Sequence, residues 1–216
     1  MPRGGYNNVG YKEFFKFFKR GKCMFWIPKG ARAQWYRVAV TPTGQYQVAV
    51  NTYNYDNIDV AMMVSNDYGN TWSNSLSQPS NNLLGIAISS TGQYQTVFDA
   101  IGGLIYVSND YGATWVAKDS NRSWQGISIS STGQYQAANV LEGQIYVSSD
   151  YGATWVAKDS VRLWVAISIS STGQYQAAVG SSDQIYESSD YGNTWVAKGS
   201  AKYWASISVS STGQYQ

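Results

Sequence analysis

The chain has 216 residues, of which 44% are apolar, 15% aromatic and 13% charged, and its formal net charge is +2. This composition excludes a wholly disordered chain, because disorder combines low hydrophobicity with high charge. The absence of histidine excludes hydrolases that activate serine or cysteine with a histidine base. The single cysteine, Cys23, has no partner for an internal disulfide, and neither a metal nor a cofactor is expected.

A basic arm precedes the rest of the chain. Residues 1–37 hold nine Lys or Arg and one acid, a charge of +8, whereas the other residues hold six bases and twelve acids, a charge of −6. On a helical wheel the phenylalanines of residues 12–21 lie opposite the lysines, which is the pattern of a basic amphipathic helix. Such a helix would place residues 12–22 against an anionic partner or a membrane surface. The competing interpretation of the same residues is a β-strand, and both remain open.

Two short sequence motifs, called words below, recur along the chain at nearly constant spacing. Thr-Gly-Gln-Tyr-Gln has spacings of 48, 41, 40 and 40 residues, and Asp-Tyr-Gly-x-Thr-Trp has spacings of 43, 40 and 40. The first word begins at Thr43, Thr91, Thr132, Thr172 and Thr212, and the second at Asp67, Asp110, Asp150 and Asp190. A period of about forty residues indicates a repeat architecture.

Each repeated unit contains four stretches with strand character. In the third unit they are residues 126–130, 134–138, 144–148 and 154–157. The first stretch alternates isoleucine with serine, the period of two expected of a strand, and glycine-containing turn sequences separate the stretches. Four antiparallel strands per unit predict an all-β chain folded as a β-propeller, with one blade per unit.

The two ends of the chain resemble each other. Residues 25–30 and 35–40 align on residues 194–199 and 204–209 with a constant offset of 169. We therefore expect residues 25–216 to form a propeller of about five four-stranded blades, preceded by an arm of residues 1–24. N- and C-terminal strands would share one blade and close the ring, which would remove exposed sheet edges. In that case the arm would supply the closing strand.

All four copies of the second word fit the longer pattern Ser-x-Asp-x-Gly-x-Thr-Trp. The Asp carboxylate is expected to accept N–H bonds within the turn, the Gly to adopt a positive φ, and the Trp to pack between blades. The residues given this structural role are Asp67, Gly69, Trp72, Asp110, Gly112, Trp115, Asp150, Gly152, Trp155, Asp190, Gly192 and Trp195. The pattern resembles the Asp box of BNR-type repeat propellers, a group with sialidases, sortilin-type receptors, a photosystem assembly factor and uncharacterised bacterial and giant-virus proteins.

The resemblance implies a fold shared by several activities. Sialidases of this kind use three arginines on the substrate carboxylate, a Tyr nucleophile paired with a Glu, an acidic acid/base residue and a Phe/Tyr-Arg-Ile-Pro motif. Residues 25–28 match that motif with Trp26 in place of the arginine, and beyond residue 37 only Arg122 and Arg162 remain. We therefore expect a non-catalytic structural or binding propeller rather than an enzyme. The alternatives are a sialidase-like glycoside hydrolase with a degenerate site, and a component of a viral particle or photosynthetic complex docked through the arm.

A ligand is expected on the face opposite the Asp-containing turns, because the loops there vary in length and chemistry between units. Repeated aromatic and cationic residues enter the inner strands at that face: Trp35, Trp124, Trp164, Trp204, Arg122, Arg162 and Lys202. Indoles beside cations would suit a glycan, through stacking and charge-assisted hydrogen bonds, or a protein ligand. The alternative is that these indoles pack between blades while the cations cover them.

Neither a transmembrane run of eighteen apolar residues nor a secretory signal is visible in the sequence. An intracellular or virion-associated location is therefore favoured, without being fixed. No Walker loop, dinucleotide fingerprint or zinc knuckle is present, so sequence-specific nucleic-acid binding is not expected.

Overall fold

The computed structural model describes residues 14–20, 23–29, 35–51, 62–74, 83–99 and 103–215, the first two ranges as backbone. Every regular element in these ranges is a β-strand, and none of them contains a helix. The predicted all-β class is therefore confirmed. No helix in these ranges could cross a membrane.

The basic arm contains a β-hairpin. Strand β1 (Phe14–Arg20) pairs antiparallel with β2 (Cys23–Lys29) along its whole length. The described backbone of this segment is extended, with its hydrogen bonds running across the hairpin to β2. Contact of residues 12–22 with an anionic partner or membrane concerns side chains outside the described residues, and it stays a prediction.

The first two blades are separate four-stranded antiparallel sheets with strands in chain order. The first consists of β3 (Trp35–Val40), β4 (Gln47–Asn51), β5 (Met62–Ser65) and β6 (Ser73–Asn74). The second consists of β7 (Leu83–Ile88), β8 (Gln95–Asp99), β9 (Gly103–Ser108) and β10 (Val116–Arg122). Each blade is therefore one repeated unit, as the sequence predicts.

The third and fourth blades run together as one six-stranded sheet. Its strands are β11 (Trp124–Ile129), β12 (Gln136–Ser148), β13 (Val156–Ile169), β14 (Gln176–Gly180), β15 (Asp183–Ser188) and β16 (Val196–Lys202). Two of these are long because each covers two strand positions. β12 passes through Glu142 with a φ of 53°, and Ser182, forty residues later, has a φ of 56° between β14 and β15. β13 joins the last strand of the third blade to the first strand of the fourth.

Closure of the ring is not seen. The hairpin of β1 and β2 is a sheet of its own, and residues 203–215 form no strand. The fifth unit is nevertheless started, because Ser171 donates its backbone N–H to Ser211 at 3.0 Å, as Ser131 does to Ser171 at 2.8 Å. The expectation of a ring closed by a shared blade is therefore not met. The equivalent of β14 in the fifth unit would begin at Gln216, outside the described residues, so residues 204–209 face no second strand there.

The hydrophobic core lies between consecutive blades. One buried cluster joins Phe98 and Ile105 of the second blade to Trp124 and Tyr146 of the third. An equivalent cluster joins the third blade to the fourth, through Trp164 among others. The burial of these clusters between consecutive units favours stacking of the units on each other, because a single blade cannot cover both of its own faces.

The Thr-Gly turns of neighbouring units also pack against each other, each turn against that of the next unit. Tyr135 lies against Gly173 of the next unit so closely that a Cβ added to this glycine would come within 2.5 Å of the tyrosine Cβ. The glycine also has a φ of 81°, a conformation that L side chains disfavour. The repeated word Thr-Gly-Gln-Tyr-Gln therefore encodes a contact between blades.

Candidate functional site

The four segments with the pattern Ser-x-Asp-x-Gly-x-Thr-Trp, called Asp turns below, connect the third and fourth strands of each unit. In the third unit, Ser148 and Thr154 both donate hydroxyl hydrogen bonds to Asp150, at 2.8 and 2.6 Å, and the backbone N–H of Thr154 donates at 2.9 Å. Ser148 Oγ also accepts the N–H of Gly152 at 2.9 Å. The same four contacts recur in the other three turns.

These contacts hold the carboxylates of the Asp turns in their charged form. The backbone N–H and hydroxyl of Thr71 lower the pKa of Asp67 to about 2. Burial acts to raise the pKa of Asp110 and Asp150, but the hydrogen bonds from Thr and Ser outweigh it, so that both pKa values lie below the ordinary value. Hydrogen bonds to the charged form favour ionisation. Carboxylates engaged in this way do not suit proton transfer to a substrate near neutral pH.

The Asp turns form one end of the blade array. Tyr151 donates its backbone N–H to Gln134 at 3.1 Å, which ties the Asp turn to the Thr-Gly turn of the same unit. Three equivalent grooves of about 310, 280 and 260 Å³ lie between successive Asp turns. Much of their walls repeats from unit to unit, but only the groove between the third and fourth Asp turns has a hydrogen bond from Lys158 to the side chain of Asn193, at 3.1 Å, among the three grooves described.

The opposite end, called the loop end, carries the indoles that the sequence marks as candidate ligand contacts. Trp124 and Trp164 are fully buried, and Trp35 is nearly so. Trp124 packs edge-on against Tyr146 with ring centroids 5.3 Å apart, and Trp164 packs in the same way against Tyr186 at 5.1 Å. Trp124 and Trp164 therefore lie in clusters that join consecutive blades, whereas Trp35 packs with residues of its own blade.

Trp204 differs from the other three indoles. It is half-buried, and its indole N–H donates to the backbone oxygen of Asp183 at 2.8 Å. Lys202, two residues earlier, is exposed and stands opposite Asp183 in the pairing of β15 with β16. The candidate residues of the fourth and fifth units thus converge on one aspartate.

The two arginines of the loop end are held by acids of their own units. Arg122 Nε lies 3.2 Å from Asp119, and its guanidinium lies 4.2 Å from the ring centre of Tyr146. Arg162 repeats the arrangement with Asp159 at 3.6 Å and Tyr186 at 4.3 Å. Each cation is therefore paired and stacked on a ring, a combination that fixes its position.

The fourth blade changes this arrangement through Asp183. Asp183 stands where the second and third blades have Gly103 and Gly143. Its carboxylate lies 3.4 Å from Arg162, so that this guanidinium contacts two acids, and it accepts the Tyr186 hydroxyl at 3.1 Å. Burial is the largest cause that raises the pKa of Tyr186, and the hydrogen bond to Asp183 adds to it. The result is a cluster of two carboxylates, one guanidinium and one phenol with no counterpart in the third blade.

Asp159 and Tyr186 of this cluster, and the neighbouring Tyr203, are not among the candidate residues that the sequence indicates. Tyr186 belongs to a repeated tyrosine position, so its sequence gives no sign of a partner. Tyr203 is 87% exposed beside Trp204, and the signal that points to it is the variation of this position, which is Ser123 and Leu163 in the preceding units. Asp183 is an acid in a loop that differs between units, and the sequence gives no sign of its contacts with Arg162 and Tyr186.

No group of three or more acidic or cysteine residues placed to hold a metal ion occurs in the part of the chain that the structure describes. The polar groups that the described residues bring to the loop end are carboxylates, a guanidinium, an ammonium group, phenols and an indole.

Comparison with known proteins identifies the architecture. No family model and no curated protein matches the sequence. An ancestral GH74 enzyme matches in structure with a TM-score of 0.63 and 18% identity over 87% of this chain, and the GH74 xyloglucanase from Xanthomonas campestris with 0.57 and 13% over 72%. The chain has a β-propeller fold. It spans 29% and 28% of the lengths of those two proteins, and no family model supports the resemblance to BNR-type repeats.

The comparison corrects the expectation that this propeller is not an enzyme. Both structures named above are those of glycoside hydrolases. That expectation rested on the missing arginines of a sialidase site, whereas most glycoside hydrolases depend on a pair of carboxylates. At these identities the likeness shows the fold, and the activity of this chain is a matter for proposal.

Proposed function

We propose that this chain is a carbohydrate-active propeller that binds a polysaccharide at the loop end of its fourth blade. The observation that carries the proposal is Asp183, which replaces the glycine of the two preceding blades and gathers Arg162, Tyr186 and Trp204 around itself. If this position served packing alone, a glycine would suffice there, as it does in the preceding blades. The likeness to glycoside hydrolases supports a carbohydrate as the ligand.

A neutral polysaccharide fits the charges of the loop end better than an acidic one. A sialidase-like site needs arginines free to bind a carboxylate, and Arg122 and Arg162 are each engaged by aspartates. Asp183 adds a negative charge beside Arg162. An acidic sugar would therefore be repelled by the carboxylate it met, whereas hydroxyl groups of a neutral sugar can donate to it.

Hydrolysis is the second proposed function. It is favoured because the carboxylates of Asp159 and Asp183 both contact Arg162. Glycoside hydrolases use two carboxyl groups: one protonates the leaving glycosidic oxygen, and the other activates a water molecule or attacks the sugar carbon. Asp183 is the better candidate to contact substrate, because its side chain is 27% exposed against 14% for Asp159. Arg162 would hold both carboxylates in place.

The test combines binding and turnover with xyloglucan and β-glucan oligosaccharides. Titration calorimetry should give a measurable affinity for the wild type, lost or lowered about tenfold in Asp183→Gly, which restores the residue of the third blade. Reducing-end release, if present, should disappear in Asp183→Asn. Glu187→Gln is the matched control, because it removes a carboxylate from the same strand about 13 Å away.

Two results would contradict the proposal. A wild-type chain that binds none of these oligosaccharides would remove the polysaccharide site. Binding equal in the wild type and Asp183→Gly would show that the ligand lies elsewhere. Turnover of a sialoside would favour the sialidase-like alternative over a neutral substrate.

A further inference from the structure

Pairs of tyrosine rings join successive blades at the end that carries the Asp turns. Each pair consists of the tyrosine of one Thr-Gly-Gln-Tyr-Gln word and the tyrosine of the Asp turn in the next unit. The pairs are Tyr46 with Tyr111, Tyr94 with Tyr151, and Tyr135 with Tyr191. Their ring centroids lie 4.9, 4.5 and 4.4 Å apart, and the ring planes are tilted by 31°, 31° and 32°. At such separations the two rings are in van der Waals contact, so the three interfaces between the first four blades carry the same pair of phenols.

The Asp turn fixes one ring of each pair through a strained backbone. Tyr111, Tyr151 and Tyr191 have φ values of 63°, 61° and 63°, where a bulky side chain is an outlier. The backbone N–H of each donates at 3.1 Å to the Thr-Gly-Gln-Tyr-Gln word of its own unit. Residues in such conformations cluster at functional sites, where the surrounding structure sets the position of a side chain. Each ring is therefore placed against its partner in advance.

Packing accounts for the rings of these pairs but not for their hydroxyl groups. Phenylalanine would fill the same space, yet tyrosine occupies both positions of all three pairs. None of the six phenol oxygens has a hydrogen-bond partner among the described residues, whereas the Tyr186 hydroxyl donates to Asp183. One ring of each pair meets solvent, with exposed fractions of 45, 40 and 37% in Tyr111, Tyr151 and Tyr191. The hydroxyl makes the ring oxidisable by one electron, and the exposure lets an oxidant reach it.

We propose that the three pairs are sites of oxidative cross-linking, at which dityrosine joins neighbouring blades. Each phenol gives up one electron and one proton and becomes a phenoxyl radical. The two radicals couple through a new bond between ortho ring carbons, and the rings return to the aromatic phenol form, so that the pair loses two hydrogen atoms in all. Hydrogen peroxide, activated by a haem peroxidase, takes up the two electrons and two protons and is reduced to two molecules of water. The bond would constrain the unfolded chain as a disulfide does.

The test exposes the dilute full chain to hydrogen peroxide and a haem peroxidase, isolates the product of single-chain mass, and digests it with trypsin. Cleavage after Lys and Arg places Tyr135 in peptide 123–158 and Tyr191 in peptide 163–198. We expect these peptides to be linked through the two tyrosines, with a mass lower by two hydrogen atoms than their sum. Tyr191→Phe and Tyr135→Phe should each abolish this link, because each keeps the ring and removes one phenol. The links at the other two pairs should remain.

Tyr68→Phe is the matched control. Tyr68 has the same place in the first Asp turn, with a φ of 62° and an exposed fraction of 50%, but no ring of the described residues lies against it. This substitution should leave the yield of all three links unchanged. Absence of dityrosine from the product of single-chain mass would overturn the proposal, and so would a link between the two peptides that persists in Tyr191→Phe or Tyr135→Phe. Neither outcome bears on the polysaccharide site, which is proposed at the loop end.

Discussion

The guanidinium of Arg162, on the last strand of the third blade, lies 3.4 Å from the carboxylate of Asp183 in the fourth blade. The preceding blade has the same arginine position, the same tyrosine beneath it and a glycine in place of the aspartate. Among the residues that contact this guanidinium, the exchange of glycine for Asp183 is what distinguishes the later unit from the earlier one.

Asp183→Gly should change binding without changing the fold. Partly exposed ion pairs contribute about 0–1 kcal/mol, and the third blade tolerates glycine here, so we expect the free energy of unfolding to change by about 1 kcal/mol or less. Chemical denaturation followed by tryptophan fluorescence measures it. A loss well above this range would show that the cluster is a structural device.

Gly173→Ala should destabilise the protein more than Gly199→Ala. Both glycines have a positive φ, 81° and 67°, which costs about 1 kcal/mol or more in alanine. Only at Gly173 would the new methyl group meet a neighbour, Tyr135, and overpacking adds about 1–3 kcal/mol. Equal losses in parallel urea denaturations would contradict the interlocking of the Thr-Gly turns.

Acid should unfold the protein through its Asp turns. Asp67 has a pKa of about 2 when folded against an ordinary value of 3.8. The stabilisation it contributes is therefore complete above about pH 4 and is lost as the pH falls toward 2. The free energy of unfolding should decrease over that range, and Asp67→Asn should flatten the decrease.

The control for this pH series is Glu187→Gln, which removes a carboxylate without touching an Asp turn. It should keep the wild-type slope between pH 4 and 2. An Asp67→Asn variant with the same slope as the wild type would show that this carboxylate is not held as the structure indicates.

Trp164→Ala should destabilise far more than Trp204→Ala. Trp164 is fully buried between blades, and removal of such a ring costs about 3–5 kcal/mol. Trp204 is half-buried, so its removal should cost roughly 1–2 kcal/mol. Similar losses for the two variants would mean that Trp204 also belongs to a blade interface.

Periodicity made most of the fold predictable. The spacing of two words fixed the units, and the turn residues fixed where strands end, because glycine and aspartate have strong local preferences. The arm was ambiguous, since paired phenylalanines fit a helical stripe as well as a strand whose two faces are both covered. Ring closure could not be predicted, because it depends on contacts between residues far apart in the chain.

The site was less predictable than the fold. A repeated tryptophan at a loop end has the same sequence signature whether it binds a ligand or fills a blade interface, and three of four here are buried. The informative signal was the break in the repeat at Asp183, beside the variable position of Tyr203. Its meaning depended on Arg162 and Tyr186, which only the pairing of neighbouring strands brings to the same aspartate.

The most direct test of the polysaccharide site is the indole N–H spectrum of the 15N-labelled protein during titration with a xyloglucan oligosaccharide. The chain has nine tryptophans, each assignable by a Trp→Phe variant. The account predicts that the signal of Trp204, whose N–H contacts Asp183, shifts with saturation. Shifts confined to the tryptophans of the Asp turns, or no shift of any indole, would contradict it.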